Sequence, residues 1–275
     1  MTAPADRTWR FVSEEARPGP MQMALDEVAA ETAARGGPRT VRVYRWRPST
    51  LSLGYGQDPA TVDWAFCERA GIDVTRRQTG GGAIYHDAHG DVSYSIAAPA
   101  AELPGDLMDA YEVLCSPLLA ALDRLGVDAG YAETERPAVH GPACYLREMH
   151  PAHDVVAADG RKLSGNAQYR QRDAVLQHGS VTFERAVERH LETFTADLAP
   201  AVFRDRVTSI RDRAEGGPSR AEAVEALETA LVEWADAEPG GWTAAELSRA
   251  RDLAARKYES TAWVREGEAP DATAE

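Results

Sequence analysis

Two segments of this chain alternate apolar and polar residues, and this alternation constrains the fold more than any other feature. Between positions 40 and 46 valines alternate with arginines, and between 92 and 96 large apolar residues alternate with serines. A period of two is typical of half-buried β-strands. Further strand patterns lie at 154–156, 162–168 and 174–183, and helical patterns lie at 21–29 and 107–125. Strands interleaved with helices predict the α/β (α+β) class.

The C-terminal part of the chain has a different pattern. After a linker-like run at 213–219, only helical patterns follow. Two capping boxes mark helix starts there, Ser219 with Glu222 and Thr243 with Glu246. The sequence therefore predicts a main domain at 8–212, a small helical C-terminal segment at 219–263, and disorder at 264–275.

The charge of the chain excludes one class of function. Its 275 residues are 44% hydrophobic, enough for a sizeable core, and carry a formal net charge of −14. Such an acidic surface repels phosphate, so a general nucleic-acid-binding protein is excluded. Many acidic residues together with few lysines also suggest a halophilic protein, from a proteome adapted to high salt.

Cysteine usage and the chain start indicate the compartment. The three cysteines, Cys67, Cys115 and Cys144, are an odd number without metal-ligand spacing, which argues against a disulfide framework. The first residues lack a signal-peptide pattern, and no run approaches the roughly 20 apolar residues of a membrane span. We expect a soluble cytoplasmic protein with no membrane partner.

Lysine is almost absent from this sequence. Of 30 basic residues only Lys162 and Lys257 are lysines. Where arginine serves for solubility and surface ion pairs, a retained lysine suggests that a compact ammonium is needed. Lys162, in the segment 160–168, is therefore the first candidate for chemistry.

A glycine-rich segment at 76–87 is the strongest local motif. Three successive glycines let the backbone approach a ligand closely, and Arg77 would add positive charge toward a phosphate or carboxylate. The spacing fits neither a Walker A loop nor a Rossmann fingerprint. The alternative is a glycine-rich hairpin turn with solvated arginines, in which Arg76 is a surface residue. His86 and Asp87 are expected to be a polar pair that closes the loop, so His86 is assigned only as a lining residue.

With these motifs, the chain resembles the lipoate–protein ligase and octanoyltransferase family, which shares its catalytic fold with the biotin protein ligases. Four places carry the resemblance in the family's order and separation: 46 with 53–57, 76–87 with 91–95, 160–168, and 176–180. It covers roughly residues 8–212. The resemblance implies a mixed-sheet biotin/lipoate protein ligase-like catalytic domain with a short helical C-terminal tail.

The ligases of this family use ATP to activate the lipoate carboxylate as lipoyl-adenylate, and then pass the acyl group to a lysine of a lipoyl domain. The resemblance implies that Lys162 is catalytic and, with Arg77 and the glycine-loop amides, neutralises the carboxylate and the α-phosphate. Asp154 matches an acidic position of the family and would hold Mg²⁺. The residues implied to bind cofactor or acyl group are Arg77, Gly80, Gly81, Gly82, Ala83, His86, Asp154, Gly165, Asn166 and Ala167.

Cys144 allows a second chemistry. Its segment, 141–145, resembles the place where cysteine-dependent octanoyltransferases keep their nucleophile, which takes octanoyl from acyl carrier protein without ATP. The alternative is that Cys144 is a small buried hydrophobic residue, the role we assign to Cys67 and Cys115.

The leading interpretation is a lipoate–protein ligase that uses lipoate or octanoate, ATP and Mg²⁺. It would modify lipoyl domains of 2-oxoacid dehydrogenase complexes or the glycine cleavage H protein. The uninterrupted glycine run is ligase-like, and a separate accessory subunit would replace the missing larger accessory domain. The alternatives are the Cys144-dependent octanoyltransferase and a non-catalytic lipoyl-binding or accessory protein. A metal site at His150 and His153 is not expected, because Pro151 breaks the helix that would align them.

Overall fold

The strands and helices form two mixed sheets with helices packed against them. The computed structural model describes residues 8–149, 154–170 and 173–268. The strands are β1 (Trp9–Arg17), β2 (Arg39–Trp46), β3 (Thr50–Leu53), β4 (Asp73–Arg76), β5 (Ile84–His86), β6 (Asp91–Pro99), β7 (Ala129–Tyr131), β8 (Asp154–Ala157), β9 (Lys162–Arg170), β10 (Ala174–Thr182) and β11 (Glu238–Pro239). The helices are α1 (Gly19–Ala34), α2 (Trp64–Arg69), α3 (Leu107–Arg124), α4 (Val187–Glu192), α5 (Pro200–Arg206), α6 (Ile210–Arg213), α7 (Arg220–Ala235) and α8 (Ala244–Leu253), with π-helical turns at Ala254–Tyr258 and Ala262–Glu266.

The topology confirms the predicted α/β class. In the part of the chain described, the larger sheet has the strand order β11-β1-β2-β6-β10-β9-β8-β7, and the smaller has the order β4-β3-β5. β1 runs parallel to β2 and to β11, whereas β2, β6, β10, β9, β8 and β7 pair antiparallel with one another in turn. Because parallel and antiparallel pairs share one sheet, the sheet is mixed, as the resemblance implies.

The predicted strands at β2 and β6 are confirmed, but their predicted solvent-facing side is not. Val41 and Ile96 lie on the apolar side, in a core that α3 and α7 also line. The polar side is buried as well, under α1, where Arg42 pairs with Asp26 at 2.6 Å and both side chains are 2% exposed. The Arg42 charge on this inner face is neutralised by the ion pair with Asp26. The polar residue Arg42 of the alternating pattern is therefore buried and does not face water.

The C-terminal helices cover the same sheet. Both predicted capping boxes are present, at Ser219 and at Thr243. Leu227 and Leu231 of α7 belong to the core that contains Val41, and β11 pairs with β1 at the sheet edge. The C-terminal segment therefore shares its core with the main domain.

The ordered chain runs further than the sequence predicts. Val264 is buried, and its carbonyl accepts a hydrogen bond from Arg76 Nη2 at 3.0 Å. Residues 269–275 of the segment predicted to be disordered lie outside the described residues. In the part that is described, no helix combines the length and the hydrophobicity needed to cross a membrane.

Candidate active site

A cavity of about 360 Å³ lies between the glycine-rich segment, α1, and the facing strands β9 and β10. This volume falls in the range of about 300–1,000 Å³ that small-molecule sites occupy. The predicted site residues that line it are Arg77, Gly80, Gly81, His86, Cys144, Asp154, Lys162, Gly165, Asn166 and Ala167. Gly82 and Ala83 do not line it.

Cys144, Lys162 and Asp154 form a compact group in the cavity wall. Lys162 opens β9, Asp154 opens β8, and Cys144 begins a single 3₁₀ turn, Cys144–Leu146. The Lys162 ammonium lies 2.6 Å from Asp154 Oδ1, 3.1 Å from the Cys144 carbonyl oxygen and 3.9 Å from Cys144 Sγ. One cation is thus shared by a carboxylate, a carbonyl and a thiol.

The charge of Lys162 is maintained despite burial. Both the Lys162 and the Asp154 side chains are only 4% exposed. Burial lowers the pKa of Lys162, but the Cys144 sulfur and the Asp154 carboxylate raise it more, so the net pKa lies above the ordinary value. The site therefore keeps an ammonium beside the sulfur at neutral pH. Asp154, predicted to hold Mg²⁺, is engaged with this ammonium.

Gly82 and Ala83 hold the turn that carries Cys144. The Ala83 N–H donates to Pro142 O at 2.7 Å, and the Cys144 N–H donates to Ala83 O at 2.9 Å. A Cβ on Gly82 would lie 2.6 Å from Pro142 O and 2.8 Å from Cys144 N, so no larger residue fits without moving the turn. The neighbouring Gly81 has φ of +94°, a conformation that glycine adopts readily. The glycine run thus positions the thiol.

Arg77 does not have the predicted role toward an anion. Its guanidinium donates to the carbonyl oxygens of Ser52, Gly80 and Gly82 at 2.7–2.8 Å, and its Nε donates to Thr79 Oγ1 at 2.9 Å. Burial lowers the pKa of Arg77 to about 10. Backbone carbonyls are strong acceptors, so they take the donors that were expected to face a phosphate. Arg77 shapes the glycine segment from within.

Arg76 is not the surface residue that the sequence suggests. It is 1% exposed, and its guanidinium donates to the carbonyl oxygens of Gly54, Tyr55 and Gln57 at 2.8–2.9 Å. Its Nε also donates to Trp263 O at 2.9 Å. Arg76 therefore ties the glycine segment to the C-terminal turns.

His86 closes one wall of the cavity. Its Nδ1 lies 3.0 Å from Asp91 Oδ2, its Nε2 lies 2.8 Å from Ser52 Oγ, and its ring stacks on Trp46 with a centroid distance of 4.0 Å. Burial lowers the pKa of His86, although Asp91 acts in the opposite direction. Asp87 instead caps the adjacent turn through the N–H groups of residues 89 and 90. His86 is a lining residue, and both of its nitrogens are occupied.

A second histidine, His178 of the 176–180 motif, also lines the cavity. His178 Nε2 lies 2.8 Å from Thr79 Oγ1, and its Nδ1 lies 3.0 Å from Asp26 Oδ2. Asn166, a predicted site residue, accepts a hydrogen bond from the Tyr94 hydroxyl at 2.8 Å. Because Tyr94 belongs to the core on the other side of the sheet, polar groups from both sides of the sheet are engaged around the cavity.

The other two cysteines are confirmed as buried residues. Burial raises the pKa of both Cys67 and Cys115 to about 11, and neither lines the cavity. In the described ranges no group of three or more His, Cys, Asp or Glu side chains could hold a metal ion. His150 and His153 lie outside the described residues.

Several other residues line the cavity that no sequence motif predicts. Met23 comes from α1, Tyr44 from β2 and Tyr111 from α3, while Arg147 and Glu148 follow the Cys144 turn. The first three carry no motif and are ordinary members of their helices and strands in sequence. The only signal for Arg147 and Glu148 was their nearness to Cys144.

A thiol and a buried ammonium at a cavity of this size have the chemistry of an acyl-transferring enzyme, because the thiol can accept an acyl group and the ammonium can stabilise negative charge. The chain belongs to the lipoyl protein ligase A/B catalytic domain family, whose model matches residues 18–232. It is therefore an acyl-transferring enzyme of protein lipoylation.

Two curated relatives share nearly the whole chain. Octanoyltransferase LipM of Kyrpidia tusciae is 35% identical over 94% of this chain and 98% of its own length. Octanoyltransferase LipM of Geobacillus kaustophilus is 30% identical with the same coverage. The fold resembles that of a bipartite lipoate protein ligase from Thermoplasma acidophilum, with a TM-score of 0.78, 23% identity, and coverage of 97% of this chain and 100% of that one.

The leading interpretation as an ATP-dependent lipoate–protein ligase is therefore wrong. The relatives that are similar over the whole chain are named octanoyltransferases, which agrees with the alternative based on Cys144. The physical reason for the error is the glycine run. An uninterrupted run of this kind is ligase-like, whereas in this chain Gly82 is needed for close packing against the Cys144 turn.

Proposed function

We propose that this protein is an octanoyltransferase in which Cys144 accepts octanoyl from acyl carrier protein and passes it to a lysine of a lipoyl domain. The observation that carries the proposal is the 3.9 Å distance between Cys144 Sγ and the Lys162 ammonium at the wall of the cavity. An ammonium at this distance stands where negative charge develops when the sulfur attacks a carbonyl. The names of the relatives support the same reaction.

In the first step, Cys144 Sγ forms a bond to the octanoyl carbonyl carbon, and the carbonyl electron pair moves to oxygen. When that pair returns, the bond to the carrier sulfur breaks, and the carrier leaves as a thiol after taking a proton. In the second step, a lipoyl-domain amine attacks the Cys144 thioester, and Cys144 leaves as the amine loses its proton. Each step exchanges one acyl bond for another, so we propose that neither ATP nor Mg²⁺ is consumed.

The other residues of the site hold the reacting groups in place. Asp154 fixes the Lys162 ammonium, which faces the negative charge that forms on sulfur and oxygen. Gly82 and Ala83 hold the Cys144 turn, and the cavity would take the apolar octanoyl chain. The acceptor would be a lipoyl domain of a 2-oxoacid dehydrogenase complex or the glycine cleavage H protein. A cytoplasmic location, the halophilic character and an accessory subunit stay predictions from the sequence.

The test is to incubate the protein with octanoyl carrier protein and a lipoyl domain, without ATP, and to follow the masses of both proteins. We expect an octanoyl thioester on the wild-type enzyme and octanoylation of the lipoyl domain, and we expect both to be lost in Cys144→Ala. Cys67→Ala is the matched control, since Cys67 is buried away from the cavity. Transfer that survives Cys144→Ala, or that needs lipoate and ATP, would contradict the proposal.

A further inference from the structure

Two arginines of the glycine-rich segment and one beside it use their donors differently. Arg76 and Arg77 donate to backbone carbonyl oxygens, as described above. Arg147 lines the cavity together with Cys144 and Lys162. Within 8–149, 154–170 and 173–268, no oxygen accepts a hydrogen bond from the Arg147 guanidinium; its one ion-pair partner is Glu148, at 3.6 Å.

The backbone of Arg147 is fixed even though its guanidinium donates no hydrogen bond within the described residues. Arg147 directly follows the Cys144–Leu146 turn, and its carbonyl oxygen accepts a hydrogen bond from Arg206 Nη2 at 3.0 Å. Its Nη1 lies 3.8 Å from the position that a Cβ on Gly81 would take. The guanidinium therefore reaches from the Cys144 turn to the glycine segment.

The positive charge of Arg147 repels the two other cations of the site, Lys162 and Arg77. For both Lys162 and Arg77, burial is the largest influence that lowers the pKa and the charge of Arg147 is a smaller one, while the Cys144 sulfur acts in the opposite direction. The net pKa of Lys162 still lies above its ordinary value. The Glu148 side chain, its ion-pair partner, is 67% exposed, so solvent screens that pair. Repulsion between cations that line the same cavity is relieved when an anion binds between them.

We propose that Arg147 is a catalytic residue that binds the oxyanion formed at the octanoyl carbonyl. This inference rests on the proposed function and adds the second cation of its anion site. When Cys144 Sγ bonds to the carbonyl carbon, an electron pair moves to the carbonyl oxygen, and this negatively charged oxygen binds between Arg147 and Lys162. The electron pair re-forms the carbonyl bond when the carrier sulfur leaves. The same oxygen bears the charge when the lipoyl-domain amine forms its bond and Cys144 leaves.

The test compares Arg147→Gln and Arg147→Lys with wild type in single-turnover formation of the Cys144 thioester and in steady-state transfer. We expect Arg147→Gln to lower kcat and the thioester rate by about 10²–10³-fold, which is the effect of removing one oxyanion donor. We expect Arg147→Lys to recover most of the rate, because it keeps a cation. The thermal midpoint should stay unchanged in both, since no protein hydrogen bond from the side chain is lost. Arg161→Gln is the matched control: Arg161 pairs with Asp159 outside the cavity.

Two results would overturn the role of Arg147. One is a thioester rate for Arg147→Gln equal to wild type. The other is an effect confined to KM for octanoyl carrier protein and absent with octanoyl-pantetheine, because that pattern marks contact with the carrier. A wild-type enzyme that forms no thioester would instead overturn the proposed function, and this inference with it.

Discussion

Replacing Asp154 by Asn removes one charge from the buried pair with Lys162 and keeps the side-chain shape. At 2.6 Å and an effective dielectric constant near 20, Coulomb's law gives an attraction of about 6 kcal/mol. Desolvation of two side chains that are 4% exposed offsets much of this attraction. Removing one partner leaves the other charge buried, and we expect a loss of about 3–5 kcal/mol in the free energy of unfolding.

Urea unfolding at neutral pH measures this loss. Neutral pH is chosen because the pKa of Lys162 is shifted upward in the folded state. The folded-state pKa of Lys162 lies above the ordinary 10.5, so the ammonium stabilises the fold fully below 10.5 and less as the pH rises through the folded value. The control is Asp205→Asn, because Asp205 is 79% exposed and lies 3.8 Å from Arg136. An exposed pair of this kind contributes about 0–1 kcal/mol.

A double variant distinguishes charge from packing. Asp154→Asn with Lys162→Met removes the stranded ammonium, so it should be more stable than Asp154→Asn alone, although inactive. Two results would refute the reasoning: a loss below about 1 kcal/mol in Asp154→Asn, or a double variant less stable than the single one.

Two further predictions concern the glycine run and the C-terminal helices. Gly82→Ala should slow thioester formation about 100-fold in a mass-spectrometric single turnover, because its Cβ would displace the Cys144 turn. The control is Gly141→Ala, which should keep the wild-type rate because there is open space around Gly141. Equal rates for the two variants would contradict the role of Gly82. Although burial raises the pKa of Glu246, hydrogen bonds from Arg10 and the backbone lower it to about 2, below its ordinary 4.5. The Glu246 carboxylate therefore stabilises the fold fully above pH about 4.5, and this stabilisation is lost as the pH falls toward 2. The urea midpoints of wild type and Glu246→Gln should converge over that pH range. A difference between the two midpoints that does not change with pH would contradict this prediction.

Much of the fold could be predicted because local patterns specify it. The strands β2 and β6 and both capping boxes were visible in the spacing of apolar and capping residues. The buried polar side of β2 was not, since Arg42 looks like a solvated residue until Asp26 is brought against it from α1. The smaller sheet was also missed, because β3, β4 and β5 are short and pair across loops.

The sequence by itself determined the chemical groups of the site: a retained lysine at 162, a cysteine at 144 and a glycine run that resembles one family. Only the tertiary structure decided how they act. It placed the Cys144 sulfur 3.9 Å from Lys162, turned Arg77 toward backbone carbonyls, and left Arg147 facing the cavity. The physical reason is that the role of a charged side chain depends on which acceptors the fold brings within hydrogen-bonding distance. Those acceptors come from segments far away in sequence.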